Sequence, residues 1–92
     1  MFSENHAQSQ ELDFLGVTSE LLAMLNKRLG TAVEPDQDLF ADGLITSLFA
    51  LELVVQMENT FNVFIEGPDL QIANFRTVNH MAHLIFRLAT TS

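Results

Sequence analysis

Apolar positions recur at helical spacing in three stretches of the chain. Val17, Leu21, Leu22, Met24, Leu25 and Leu29 form the first, with Lys27 and Arg28 near its end and Gly30 just beyond. Cations in the last turn and a glycine after it are the signals of a helix C-terminus. Leu12, Phe14 and Leu15 offer this helix a start. The second stretch runs from Ser47 to Phe61, where Leu48, Leu51, Val54, Val55 and Phe61 are expected to supply the inward stripe. In the third, Val78, Met81, Ala82, Ile85 and Leu88 make a buried face on a helix reaching about Ala89, and Thr77 offers its N-cap side chain.

The connections between these helices are long. Thr31 to Leu44 contains Pro35, several acids and Gly43 and reads as a loop. Asn62 to Arg76 is also irregular, with Gly67-Pro68 inside it and room for one short helix near Asp69 to Ala73. No alternating run is long enough for a sheet, and Val63-Phe64-Ile65 reads as buried loop. The pattern predicts an all-α bundle of three main helices and one short third one, four in all. Residues 1–10 are expected to be a flexible tail, and 11–90 a single domain. Loops this long in a small bundle usually have a function.

At 92 residues the chain is long enough for one domain. It has no cysteine, so it contains neither a disulfide framework nor a thiol of its own, and thiol chemistry would need an imported group. No apolar run nears the roughly 20 residues of a membrane span, and there is no signal-peptide core, so a cytoplasmic protein is expected. The net charge is −8, and no Lys or Arg occurs between Arg28 and Arg76. That field repels nucleic acid and anionic membranes and steers basic protein partners inward; on the plainer reading it only keeps the protein soluble.

The candidate chemistry lies where the first loop meets the second helix. Asp38-Leu39-Phe40-Ala41-Asp42-Gly43-Leu44-Ile45-Thr46-Ser47-Leu48 places a hydroxyl at a helix N-terminus. Unpaired N–H groups and the positive end of the dipole favour a phosphodiester there. On position alone, Ser47, or Thr46, reads first as a simple N-cap.

The flanking residues resemble the acyl carrier and peptidyl carrier protein family. Its hallmark is an Asp-Ser-Leu or similar tripeptide after a loop ending in Leu-Phe-x-x-Gly. Here these are Thr46-Ser47-Leu48 and Leu39-Phe40-Ala41-Asp42-Gly43, followed in register by Glu52-Leu53-Val54, Met57-Glu58 and Phe61. The resemblance covers roughly Leu21 to Ile85. It implies a four-helix acyl-carrier-like bundle that is not itself an enzyme, with 4'-phosphopantetheine esterified to Ser47 and an acyl or aminoacyl thioester on the arm. The implied partners are a phosphopantetheinyl transferase, a cargo-loading enzyme or acyltransferase, and a polyketide synthase or other processing enzymes. Thr46 departs from the usual Asp, which is often near the metal during arm transfer, so the departure bears on modification. The run Ser47 to Val55, with Asn74-Phe75-Arg76-Thr77-Val78, is similar to discrete polyketide-pathway carriers for alkoxymalonyl, hydroxymalonyl, aminomalonyl or glyceryl units, as in antibiotic biosynthesis. The Met start and the end soon after the last helix suit a free-standing carrier.

Leu48, Phe49, Glu52 and Val55 are expected to border the arm and meet partner enzymes, with Leu51 inward and Glu52 and Glu58 facing a basic patch. Phe49 is either a recognition anchor or packed onto the preceding loop, and the two acids are either partner contacts or a solvated face. Phe64, Ile65, Leu70 and Ile72 are candidate cargo contacts or ordinary core. Other constellations fail. Loops starting at Asp36 or Asp38 lack the bidentate calcium ligand, and His80 and His83 lack further zinc ligands. Ile45 and Phe49 stand where a nucleophile elbow needs glycine. The alternative to a carrier is an unmodified acidic helical interaction module.

Overall fold

The computed structural model describes residues 13–91 of the chain, so the expected tail at residues 1–10 lies outside the described residues. The first helix, α1, spans Phe14–Leu29. Asp13 caps it, accepting the Gly16 N–H on its carboxylate at 2.6 Å. Val17, Leu21, Met24 and Leu25 face the core. Gly30 ends the helix in the left-handed region, φ 73°, with its N–H donated to the Asn26 carbonyl. Lys27 and Arg28 stand in the last turn, where the dipole favours cations.

The second helix, α2, spans Ser47–Phe61 and ends at Asn62, also left-handed. Its buried residues are Ala50, Leu53, Val54 and Met57. This corrects the expected inward stripe: of its members only Val54 is buried, Phe61 is half-buried, and Leu48, Leu51 and Val55 are exposed. The reason is geometric. Positions 48, 51 and 55 and positions 50, 53, 54 and 57 both follow helical spacing, and two residues of offset turn about 200° around the axis. Tertiary packing buries the second set, with Leu53 and Met57 fully enclosed.

Both loops are built segments. In the first, the Leu39 N–H donates to the Arg76 carbonyl at 2.8 Å, and the Leu39 carbonyl accepts from Leu44 and Ile45. Asn79 N–H donates to the Pro35 carbonyl, and Arg76 pairs with Asp38 at 3.2 Å. In the second, Glu58 accepts the Ile65 N–H at 2.8 Å and turns the chain after α2. Val63 and Ile65 are buried as expected, but Phe64 between them is 78% exposed. The short element takes the form of two 3₁₀ turns, Gly67–Asp69 and Ile72–Phe75, on either side of Leu70-Gln71. Phe75 anchors the second in the core. The last helix, α3, spans Val78–Thr91. The Thr77 hydroxyl oxygen accepts the His80 N–H at 2.9 Å, as its cap position predicts. Val78, Met81, Ala82, Leu84 and Ile85 complete one core shared with α1, α2 and both loops. No strand occurs among the described residues.

Asp38 gives the first loop a pH dependence. The Ala41 N–H on its carboxylate, joined by the Arg76 guanidinium, holds its pKa below the ordinary 3.8 against the opposing pull of desolvation. A lowered folded-state pKa contributes stability above the unfolded value, lost as pH falls through the folded one. Melting followed from pH 6 to pH 2 is expected to show Asp38→Asn less stable than wild type at pH 6. The gap narrows below about pH 3.8; a constant gap would assign the loss to something other than the charge.

Candidate functional site

The loop before α2 is wound into a tight turn. Asp38 accepts the Ala41 N–H on its side chain and the Asp42 N–H on its carbonyl, and Gly43, at φ 74°, donates to the Phe40 carbonyl. Only a left-handed residue closes the turn this way, which suits glycine. Ile45 then drops into the core, 3% exposed, and fixes the entry to α2.

Thr46 is the N-cap. Its hydroxyl accepts the Phe49 N–H at 3.2 Å, while its carbonyl accepts the Ala50 N–H at 2.9 Å. Ser47 is therefore the first helical residue, and its side chain is exposed. This resolves which of the two residues caps the helix. Thr46→Ala is expected to cost about 1 kcal/mol, read as a melting temperature lower by roughly 4–8 °C, with Thr46→Asp close to wild type. Equal melting of Thr46→Ala and wild type would show that the cap contributes nothing.

Beside Ser47 lies a cleft of about 190 Å³ lined by Ser47, Ala50, Leu51, Val54, Leu70, Gln71, Ile72 and Phe75. One wall is α2 and the other is the stretch around the two 3₁₀ turns. Leu70 and Ile72 join this lining as expected, while Phe64 and Ile65 do not. Leu51, expected to face inward, instead forms the rim. The volume is smaller than the roughly 300–1,000 Å³ of pockets that enclose drug-sized ligands, so the cleft is a shallow surface feature and not an enclosing pocket.

The residues expected to meet partners are divided in the structure. Leu48 and Val55 lie open to solvent, 69% and 57% exposed. Phe49 is half-buried against the core, with the Arg28 guanidinium 5.0 Å from its ring centre. The same guanidinium bonds Glu52 at 2.7 Å and Gln56 at 3.0 Å, so one cation from α1 holds three turns of α2. Glu58 is spent on the Ile65 N–H. Nothing in the local sequence marks Arg28 for this role. Only its place at a helix end was visible, since its partners lie 21 to 28 residues away.

His80 and His83 serve the fold: His80 meets the Thr77 hydroxyl at 2.7 Å, and His83 packs on the Phe14 ring at 4.7 Å. Among the described residues no group of acids and histidines could hold a metal, and no helix is long and apolar enough to cross a membrane.

A helical bundle that presents an exposed hydroxyl at the head of a helix, next to a shallow apolar cleft, has the arrangement of a carrier domain. The family described as "Phosphopantetheine attachment site" matches residues 19–85, well over half the chain, and the protein belongs to that family. No curated protein matches the chain. Domains of this family hold 4'-phosphopantetheine covalently on a serine, are generally not catalysts, and work with a phosphopantetheinyl transferase and cargo-processing enzymes. The residues present suit the group. The start of α2 supplies N–H groups without intrahelical partners and a positive dipole end, and the acids that flank it in sequence each accept a hydrogen bond. Asp42 accepts from Gln37 at 2.9 Å, and Glu52 is held by Arg28.

Proposed function

We propose that Ser47 is the attachment serine, and that the chain is a single-domain cytoplasmic acyl carrier, not a catalyst, delivering cargo between enzymes. The observation that carries this reading is the position of Ser47, exposed at the first residue of α2 beside the apolar cleft. Only Ser19 and Ser47 lie within the matched stretch. Ser19 sits inside α1, away from any helix start. At Ser47 the oxygen can form a phosphodiester at the positive end of a helix. The arm, once attached, supplies the terminal thiol that a cysteine-free chain lacks.

The pathway belongs to the same reading. The resemblance around Ser47 to Val55 and Asn74 to Val78 supports a carrier in polyketide or related secondary metabolism. Its cargo would be a small unit such as an alkoxymalonyl, hydroxymalonyl, aminomalonyl or glyceryl group. Partners would then be an acyltransferase or other loading enzyme and a polyketide synthase.

The test is intact-protein mass spectrometry after incubation with coenzyme A, Mg²⁺ and a broad-specificity phosphopantetheinyl transferase, followed by tryptic mapping. Lys27, Arg28 and Arg76 separate the two serines, placing Ser47 in the peptide 29–76. One added phosphopantetheine on that peptide supports the reading. Addition on the peptide containing Ser19 moves the site. No addition with several transferases and a folded protein leaves an unmodified acidic interaction module.

A further inference from the structure

The turn that leads into Ser47 belongs to no helix, and its outside support comes from a distant part of the chain. Leu39 and Ile45 are buried, so the core holds its two ends. Between them the turn closes on Asp38. One carboxylate oxygen of Asp38 accepts the Ala41 N–H at 2.9 Å, and its carbonyl accepts the Asp42 N–H at 3.0 Å. Among the described residues, the hydrogen bonds that run from residues 38–45 to a part of the fold beyond the loop both end on Arg76. The Arg76 carbonyl accepts the Leu39 N–H at 2.8 Å, and the Arg76 guanidinium donates to the second Asp38 oxygen at 3.2 Å. Arg76 has a firm base of its own, since Phe75 and Thr77 on either side of it are buried.

We propose that Arg76 is a positioning residue for arm attachment: through Asp38 it fixes the turn that sets where the Ser47 oxygen is presented. The inference rests on Ser47 being the attachment site. The path between the two residues is continuous. Arg76 fixes the rotation of the Asp38 carboxylate, whose other oxygen holds Ala41. The chain then returns through Gly43 to the Leu39 carbonyl, which accepts the Leu44 and Ile45 N–H groups. Thr46 caps α2 directly afterwards, and Ser47 follows. The side chains of Arg76 and Asp38 are 46% and 39% exposed, so their pair contributes little to global stability. Its effect on transfer is larger, because a reacting atom misplaced by about 1 Å can cost on the order of 100-fold in rate.

The experiment measures kcat and KM for the carrier in arm transfer by a broad-specificity phosphopantetheinyl transferase with coenzyme A and Mg²⁺. Melting curves and amide hydrogen exchange are recorded on the same proteins. Wild type is compared with Arg76→Gln, Arg76→Lys, Asp38→Asn and the double variant of Arg76→Gln with Asp38→Asn. Lys27→Gln, which makes the same change of net charge on α1, is the control. Arg76→Gln is expected to lose at least threefold in kcat with KM within twofold, and to speed exchange at the Ala41, Asp42 and Gly43 amides. Its melting temperature should fall by no more than roughly 4–8 °C. Arg76→Lys should recover most of the rate, because the bond to Asp38 needs a single donor. The double variant should lose no more than the worse single one, since both remove the same bond. A loss carried by KM, or losses that add in the double variant, overturns the proposal, because Arg76 then touches the transferase itself. An equal loss in Lys27→Gln overturns it in favour of net charge, and an unchanged rate in Arg76→Gln overturns it outright. If wild type gains no arm while exchange still shows Arg76 holding the turn, it is the attachment reading that fails, and this role of Arg76 with it.

Discussion

Ser47→Ala is expected to fold and melt as the wild type does, yet gain no mass from coenzyme A and a phosphopantetheinyl transferase. The two halves of this result have separate causes. The chemical loss is complete because the hydroxyl oxygen is the bond-forming atom in the proposed attachment. The fold is spared because the cap of α2 belongs to Thr46, whose hydroxyl holds the Phe49 N–H. Ser47 follows as the first helical residue, with an exposed side chain that makes no hydrogen bond among the described residues. Alanine is the best helix former, so the exchange leaves stability within about 0.5 kcal/mol. Had Ser47 been the cap, the same change would cost about 1 kcal/mol. Ser19→Ala serves as the control and should load fully. Mass spectrometry and a melting curve on the three proteins decide it, and a loaded Ser47→Ala would remove Ser47 from the mechanism.

The second large effect is on stability. Leu53→Ala should lower the unfolding free energy by about 2–5 kcal/mol, and Leu51→Ala by less than about 0.5 kcal/mol. Both remove the same atoms from the same helix. Leu53 is fully enclosed by the core, so its loss combines transfer and cavity costs. Leu51 is 57% exposed, so truncation removes little buried surface. Domains of this size are stable by about 5–15 kcal/mol, and a melting temperature lower by on the order of 10–30 °C should follow for Leu53→Ala. Similar melting of the two variants would mean that α2 is rotated from the orientation described.

That pair also shows where the sequence could be read and where it could not. Ends of helices were legible because caps are local: Gly30 and Thr77 act on neighbours within four residues. The exposed hydroxyl at the head of α2 was legible for the same reason, since the bonds that close the turn from Asp38 to Gly43 run between its own residues, with Arg76 bracing it from outside. The face of α2 was not, because apolar residues fall on both sides of it and periodicity fits either set. The roles of Glu52 and Glu58 were hidden for another reason. Each is engaged by a group from elsewhere, the Arg28 guanidinium and the Ile65 N–H, and spacing along one helix carries no record of either. Phe64 was misjudged within its triplet because the loop turns it out between two buried neighbours.

The two walls of the cleft hang from different supports. On one side α2 is tied to α1 through Arg28. On the other, the segment carrying Leu70 and Ile72 is braced by the Asn74 amide on the Asp69 carbonyl and tied to α3 by Arg87 on Asp69 at 2.8 Å. The ties share no residue, and both arginines sit at the surface. The width of the cleft is therefore open to change by single substitutions that leave the core untouched. In a lineage of such proteins, the width of the cleft beside Ser47 can drift while the fold stays fixed, and an engineer can widen or narrow either wall independently.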